Sequence, residues 1–519
     1  MDELLNKVRA AGQSDNSAMQ DLLLLVFSLT LLAVVVGGLL VRPINAMHDR
    51  FASVRWALLR DFSPVLRRDV FVTDRATAHR LLVRGGAFCN RPPSSAASSV
   101  LSRQQHHNIG SAPYGALWRA VRRNLVSEVL HPSSRLRSHA PARRRALRGL
   151  IVDLREQSKS KPSGSGVVLA AESLHAALFG LSASMCFGDG VDAARVRAMA
   201  DGMEDLIRSL VGLRVFAAFP ALAELVYRER WSKLVALRRR QEEMYLPLVH
   251  ARRRRGRSGE GEPLAYVDTL IDLMVPDGDD DEDSGASKRR LTDGELVGLC
   301  SEFLGAGTEP ATAALQWTMA NLVKHLDVQE AVRAEISSVV REDADEVAEE
   351  DLGRLEYLNA VLMESLRLHP SVPSVTRQVI PEDHVVLDGA RVPAGTTVQF
   401  PLDLLALDKT VWSDPDEFRP GRFVSGGEGE GINLVAAAGS AGEIRMMPFG
   451  AGRRMCPGMG VAVLHLGYFV ANLVREFEWT EAEGELAVDL APHVGFLSVM
   501  KRPLRARLLA LRRREGLIK

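Results

Sequence analysis

Ten residues near the C-terminal end, Phe449 to Gly458 (FGAGRRMCPG), constrain this chain of 519 residues more than any other stretch. Glycines at 450, 452 and 458 let the backbone turn tightly, approach a flat object closely and aim one side chain, Cys456. The apolar run that follows, MGVAVLHLGYFVANLVREF, is expected to be a long helix. Cys456 therefore stands just before a helix N-terminus, where backbone N–H groups favour a thiolate. Arg453 and Arg454 add positive potential suited to a thiolate and to a carboxylate-bearing cofactor. A lone cysteine without a CxxC or Cys/His companion is not a zinc site. Cys89, Cys186 and Cys300 lack such neighbours and read as inert buried thiols.

Composition narrows the remaining choices. Lys plus Arg and Asp plus Glu both total 65, so the chain carries no bulk positive charge for binding nucleic acid. The 46% apolar content excludes wholesale disorder, and four cysteines exclude a disulfide-dense scaffold. Residues 22–41 (LLLLVFSLTLLAVVVGGLLV) hold no charge and, as a helix of about 30 Å, match a bilayer core. Arginines crowd the downstream flank from Arg42 to Arg68, which places the body of the protein in the cytosol and residues 1–21 in the lumen. A cleaved signal peptide is the alternative for this segment. Residues 42–69 read as a short hinge with a truncated first sheet, 70–507 as the catalytic body and 508–519 as a basic tail.

Helical patterns dominate from Arg75 to His369, and short Val-rich strands (Val385–Leu387, Thr397–Phe400) follow Pro370. The Arg252–Arg255 run reads as a solvated connector. The Asp277–Ser284 run reads as an acidic surface loop, since Glu282 and Lys288 stand where a calcium loop needs Gly and Glu. Thr292 and Glu295 form a capping box opening a helix expected to reach Lys324. Leu296, Leu299, Phe303, Leu315 and Leu322 would be its buried face.

Phe449, Gly452, Arg454, Cys456 and Gly458 match FxxGxRxCxG, and the chain resembles the cytochrome P450 family, most closely its plant microsomal members. The resemblance implies a mainly α fold with a small β region: a triangular helical prism with a long central distal helix, behind one N-terminal transmembrane helix. It implies haem b (iron protoporphyrin IX) held by Cys456 as axial thiolate, whose electron donation favours O–O cleavage. Arg454, together with Trp118 and Arg122 (WxxxR) and Arg377, would meet the haem propionates. Glu364 and Arg367 (ExxR) would form a structural ion network with Arg422 of the FRPGRF segment, in which Gly421 replaces the family's Glu.

The oxygen-activation motif departs from the family. It reads Ala306-Gly307-Thr308-Glu309-Pro310-Ala311, so the acid, Glu309, is present but the alcohol position is Pro310. Proline opens a helix but donates no hydrogen bond. Thr312, two residues on and about 200° round a regular helix, is the candidate stand-in if a kink brings it near. The leading expectation is a monooxygenase of the endoplasmic reticulum membrane, poorly coupled, taking NADPH electrons through NADPH–cytochrome P450 reductase. Its substrate would be a lipophilic small molecule in a pocket lined by residues 94–114 and 303–312, and its further partner membrane lipid. Arg445, Arg453, Arg119 and Arg123 would form a basic patch for the reductase. The alternatives are reductase-independent rearrangement of a hydroperoxide, or a decayed, non-catalytic paralogue.

Overall fold

The computed structural model describes residues 70–511, apart from 86–87, 93–107, 132–134, 161–165, 219–223, 225, 257–262, 278–286, 382, 388, 433, 435–443 and 483–486. The leader, the apolar stretch 22–41, the hinge, most of the acidic loop and the last eight residues lie outside that set. Among the described residues no helix is long and apolar enough to cross a membrane.

The main helices are α1 (Ala116–Asn124), α2 (Ala140–Ser160), α3 (Ala170–Phe187), α4 (Ala193–Ala218), α5 (Arg228–Arg255), α6 (Asp293–Lys324), α7 (Leu326–Val339), α8 (Glu356–Leu368) and α9 (Met459–Glu476). Helix α6 starts as its sequence requires. Thr292 Oγ1 accepts the Glu295 N–H at 3.2 Å and Glu295 accepts the Thr292 N–H at 2.8 Å, closing the capping box. Its residues are buried on nearly every side, because it runs through the core with α3, α5, α8 and α9 packed around it. Leu296, Leu299, Leu315 and Leu322 are buried as expected, while Phe303 is half-buried and stacks on Tyr266 at 4.8 Å.

Two small sheets flank the helices. Strand β1 (Val70–Phe71) lies parallel to the central β4 (Thr397–Pro401), whose other edge pairs antiparallel with β3 (Ser374–Gln378). In the second sheet β2 (Val167–Leu169) and β5 (Phe477–Thr480) both pair antiparallel with the central β6 (Arg505–Ala510). The basic tail therefore begins later than its charge suggests. Ala506 and Leu508 alternate with arginines and point into the core, which makes this stretch a strand through Ala510.

The Arg252–Arg255 run is likewise no connector. It is the last turn of α5, where Arg252 pairs with buried Asp268 and Arg253 with Asp293 at 3.0 Å, and basic side chains complement the helix C-terminus. The acidic loop is flanked by a hairpin, Met274–Pro276 against Lys288–Arg290.

Candidate functional site

The Phe449–Gly458 loop takes its shape from two left-handed glycines, Gly450 and Gly452, both at φ +72°. A Cβ on Gly452 would fall 1.8 Å from the Leu82 carbonyl oxygen, so no other residue fits there. Gly458 has an ordinary φ of −90°. It caps α9, and a Cβ there would stand 3.9 Å from Cys456 Sγ. The Phe449 carbonyl accepts the Cys456 N–H at 2.9 Å, and the Phe449 ring packs on the main core.

The thiol itself behaves differently from the sequence expectation. Burial pushes Cys456 above its ordinary value of 9.0, and the Gly458 amide, Arg122 and Arg91 only partly oppose that. Desolvation outweighs the helix terminus and the cations, so the thiol of the polypeptide keeps its proton and becomes a thiolate on coordinating a metal. Cys89 and Cys186 are also buried with raised values, and Cys300 is buried beside Cys186, in keeping with inert thiols.

Four guanidiniums gather near this loop. Arg454 is buried and donates to the carbonyls of Cys89 (3.0 Å), Ile109 (3.1 Å) and Ala112 (2.6 Å), with its charge 4.4 Å from the Trp118 ring centroid. Arg122 lies 5.3 Å from the same ring and donates to the Met455 carbonyl at 2.5 Å. The Trp118 indole N–H goes to the Ile109 carbonyl at 3.0 Å. Arg377, on β3, is fully buried and donates to the adjacent Thr376 carbonyl at 2.9 Å. Burial, with Arg91 adding repulsion, depresses Arg377 to about 9 and Arg454 to about 10, and burial also lowers Arg91 and Arg122. The sequence reading missed Arg91, and it missed Glu302, the carboxylate whose charge acts on Arg91 and Arg454.

On α6 the residues Ala306 and Gly307 are exposed, in the middle of an otherwise buried helix. The helix runs on through Pro310 without a break. Glu309 faces α3, where its Oε1 lies 2.9 Å from His175 Nε2. Burial works against His175, but the Glu309 hydrogen bond raises it above 6.5 overall. The Thr308 hydroxyl also turns to α3 and donates to Ser182 at 3.0 Å. Thr312 is buried, its hydroxyl without a partner among the described residues, on the side of the continuous helix about 200° from Pro310. The Pro310 carbonyl accepts the Ser371 hydroxyl at 2.8 Å.

Beneath α6, Glu364 and Arg367 of α8 are both completely buried and paired at 2.7 and 2.9 Å. Glu364 Oε1 also accepts Arg422 Nε at 3.1 Å and the Arg419 N–H at 2.9 Å. Position 421 has no carboxylate, but Glu428 pairs with Arg422 and accepts the Ser413 N–H at 3.0 Å. The network expected to be short of one acid is therefore complete.

A family model described as "Cytochrome P450" matches residues 62–508. The chain belongs to the cytochrome P450 family. It is 38% identical over 490 residues to cytochrome P450 89A9 of Arabidopsis thaliana, covering 92% of each chain. It is 28% identical over 445 residues to the flavonoid 3'-monooxygenase CYP75B3 of Oryza sativa subsp. japonica, covering 82% of this chain and 80% of that one. Among solved structures, a zebrafish cytochrome P450 with progesterone aligns with a TM-score of 0.65 at 21% identity, over 85% of this chain and 93% of that one. A retinoic acid-bound cyanobacterial CYP120A1 aligns at 0.66 and 22%, over 85% and 89%. These likenesses show the fold, mainly helical with small sheets.

The family implies haem, and the residues fit it. A loop built to aim one thiol, four guanidiniums lowered by burial, and an open Ala306–Gly307 step match a flat, metal-bearing dianion. Cys456 would hold its iron, and Arg454, Arg377 and Arg122 its carboxylate edge, whereas the one N–H of Trp118 is given to the Ile109 carbonyl. As a family member the chain is a haem-thiolate monooxygenase.

Proposed function

We propose that this P450 is anchored in the endoplasmic reticulum membrane by residues 22–41 and hydroxylates or epoxidises a lipophilic small molecule, with NADPH electrons arriving through a reductase. The observation that carries the reading is Cys456, fixed by a glycine loop beside a cluster of buried arginines. Bound haem supplies O₂ activation, and the polypeptide supplies ligand, pocket and proton access. The solved P450s holding progesterone and retinoic acid support an apolar substrate here.

Electron entry is assigned to the face carrying Arg119, Arg123, Arg445 and Arg453. Tyr114 ties two of these together, with Arg119 5.8 Å and Arg453 5.1 Å from its ring centroid and Arg453 donating to its hydroxyl at 3.0 Å. An acidic reductase surface would complement this patch.

Pro310 sets the coupling. It has no N–H, so the Ala306 carbonyl lacks its helical donor at the point where α6 is exposed. The neighbouring Thr308 hydroxyl is committed to Ser182, and the Thr312 hydroxyl sits on another side of the helix. With haem bound, position 310 would offer no alcohol for proton delivery, which favours loss of reducing equivalents as peroxide. NADPH consumption, product and peroxide should be compared between native protein and Pro310→Thr in lipid with reductase. The reading expects the substitution to lower the peroxide fraction severalfold; an already tightly coupled native enzyme would overturn it.

The missing donor also favours a second reading, rearrangement of a hydroperoxide without reductase. Turnover of a fatty-acid hydroperoxide in the absence of NADPH would establish it. The complete Glu364–Arg367–Arg422–Glu428 network supports an enzyme over a decayed paralogue.

A further inference from the structure

We propose that Glu302 is a positioning residue that latches the 108–112 turn onto α6 and, through that turn, sets Arg454 beside the cofactor carboxylates and holds the Trp118 indole in place. The two carboxylate oxygens divide the work. Oε2 accepts the Ile109 N–H at 2.7 Å and Oε1 accepts the Gly110 N–H at 2.6 Å, across 193 and 192 residues of sequence.

The carbonyl side of the same turn faces cations. The Ile109 carbonyl accepts from Arg454 at 3.1 Å and from the Trp118 indole at 3.0 Å, and the Ala112 carbonyl accepts from Arg454 at 2.6 Å. The Gly110 carbonyl accepts from Arg91 at 3.2 Å. One short turn therefore has an anion on its amides and three donors from positive or aromatic side chains on its carbonyls. In the Ile109–Gly110 peptide unit the carboxylate on the N–H and the donors on the carbonyl polarise in the same direction and strengthen one another.

The turn is built for this contact. Asn108 Oδ1 accepts the Ser111 N–H at 2.8 Å and Ser111 Oγ accepts the Asn108 N–H at 3.2 Å, so it closes on itself before it meets α6. A Cβ on Gly110 would stand 2.7 Å from Glu302 Oε1 and 3.4 Å from the Arg91 guanidinium, so the latch needs glycine there. Burial pushes the Glu302 carboxyl up, while the two amides, Arg91 and Arg454 hold it down. An acid kept in so desolvated a place, with both oxygens used on backbone amides, has a structural task that an apolar residue could not perform.

This inference rests on reading Arg454 as a partner of the haem carboxylates. Its test uses holoprotein and two readouts: amide hydrogen exchange in the segment 108–112, and the rate of haem transfer to excess apomyoglobin. The hairpin Pro492–Val494/Ser498–Met500 serves as internal reference. Glu302→Ala and Gly110→Ala attack the latch from opposite sides. Each should raise exchange of the Ile109 and Gly110 amides at least tenfold and haem transfer at least fivefold, with the reference hairpin unchanged. Glu302→Gln, which keeps an acceptor, should fall between native and Glu302→Ala. Adding Gly110→Ala to Glu302→Ala should cost nothing further, because the carboxylate it clashes with is gone.

Exchange within twofold of native in all variants would overturn the proposal. So would a loosened turn with unchanged haem transfer, or a uniform rise that includes the reference hairpin. If Glu302→Ala yields no holoprotein, Gly110→Ala and Glu302→Gln carry the same readouts. Failure of the haem reading itself would show separately, as a native protein without a thiolate-type carbon monoxide spectrum.

Discussion

Replacing Glu428 by alanine asks whether an acid six residues beyond Arg422 has taken over from the missing glutamate at 421. Arg422 is 2% exposed and has two carboxylate partners, Glu364 at 3.1 Å and Glu428, together with the Asp414 carbonyl at 2.6 Å. Losing Glu428, itself 27% exposed, leaves Arg422 paired on one side only. A charge-assisted bond of that kind contributes about 1.5–3 kcal/mol when buried, and partial exposure reduces it to about 1–2 kcal/mol. Glu364→Ala is a much larger perturbation. It strips Arg367 and Arg422 of their shared acid and leaves two buried like charges, at a cost of about 3–5 kcal/mol. Arg502→Ala, which breaks an exposed pair at 3.9 Å, should change stability by less than about 0.5 kcal/mol. For a chain of this size the assay is the rate of Soret loss during thermal inactivation, where about 1.4 kcal/mol corresponds to tenfold. The expected order is Glu364→Ala far above Glu428→Ala, and Glu428→Ala clearly above Arg502→Ala. A Glu428→Ala protein indistinguishable from Arg502→Ala would refute the substitution of one acid for the other.

Other expectations concern acid, the loop and the cofactor edge. Burial, with Arg143 and His139 nearby, holds His465 to about 3; burial and Arg143 hold His139 to about 4; burial and Arg367 hold His369, stacked on Trp317 at 4.2 Å, to about 4. All lie below the unfolded value of 6.5, so the unfolded chain binds more protons and stability is complete above pH 6.5 and falls with pH; at pH 5 each histidine should have withdrawn about 2 kcal/mol. Denaturation midpoints at pH 7 and pH 5 check this, and His465→Phe should flatten the difference; an unchanged pH dependence would remove His465 from the account. Gly452→Ala, with its Cβ 1.8 Å from the Leu82 carbonyl, should abolish haem incorporation, read as a lost Soret band in folded protein. Arg377→Met should leave the haem-free chain as stable or more so, because a desolvated guanidinium disappears, yet speed haem transfer to apomyoglobin; opposite signs in the two forms are the point of the measurement.

The site was legible in the sequence wherever one local segment carries the chemistry. Cys456 with its glycines, the Thr292 cap of α6 and the Glu364–Arg367 step all lie within ten residues of their signals, and the structure places each as expected. Partners that meet only after folding were illegible. Glu302 finds Ile109 and Gly110 across more than 190 residues, and Glu309 finds His175 across 134. Nothing in LGAGTEP marks the acid two positions ahead of it as a latch. The Cys456 thiol and the Arg505–Ala510 strand went the other way, because burial settled both: desolvation reversed the direction of one shift, and alternating Ala506 and Leu508 turned a basic tail into the centre of a sheet.

Cys456 is proposed as the thiolate ligand of a haem. Its most direct test is the reduced carbon monoxide difference spectrum of the expressed full-length protein beside that of Cys456→Ser. The account predicts a thiolate-type red-shifted Soret band in the native protein, lost or moved to the position typical of a neutral ligand in the variant. A native spectrum without that band, or one that survives the substitution, would contradict it.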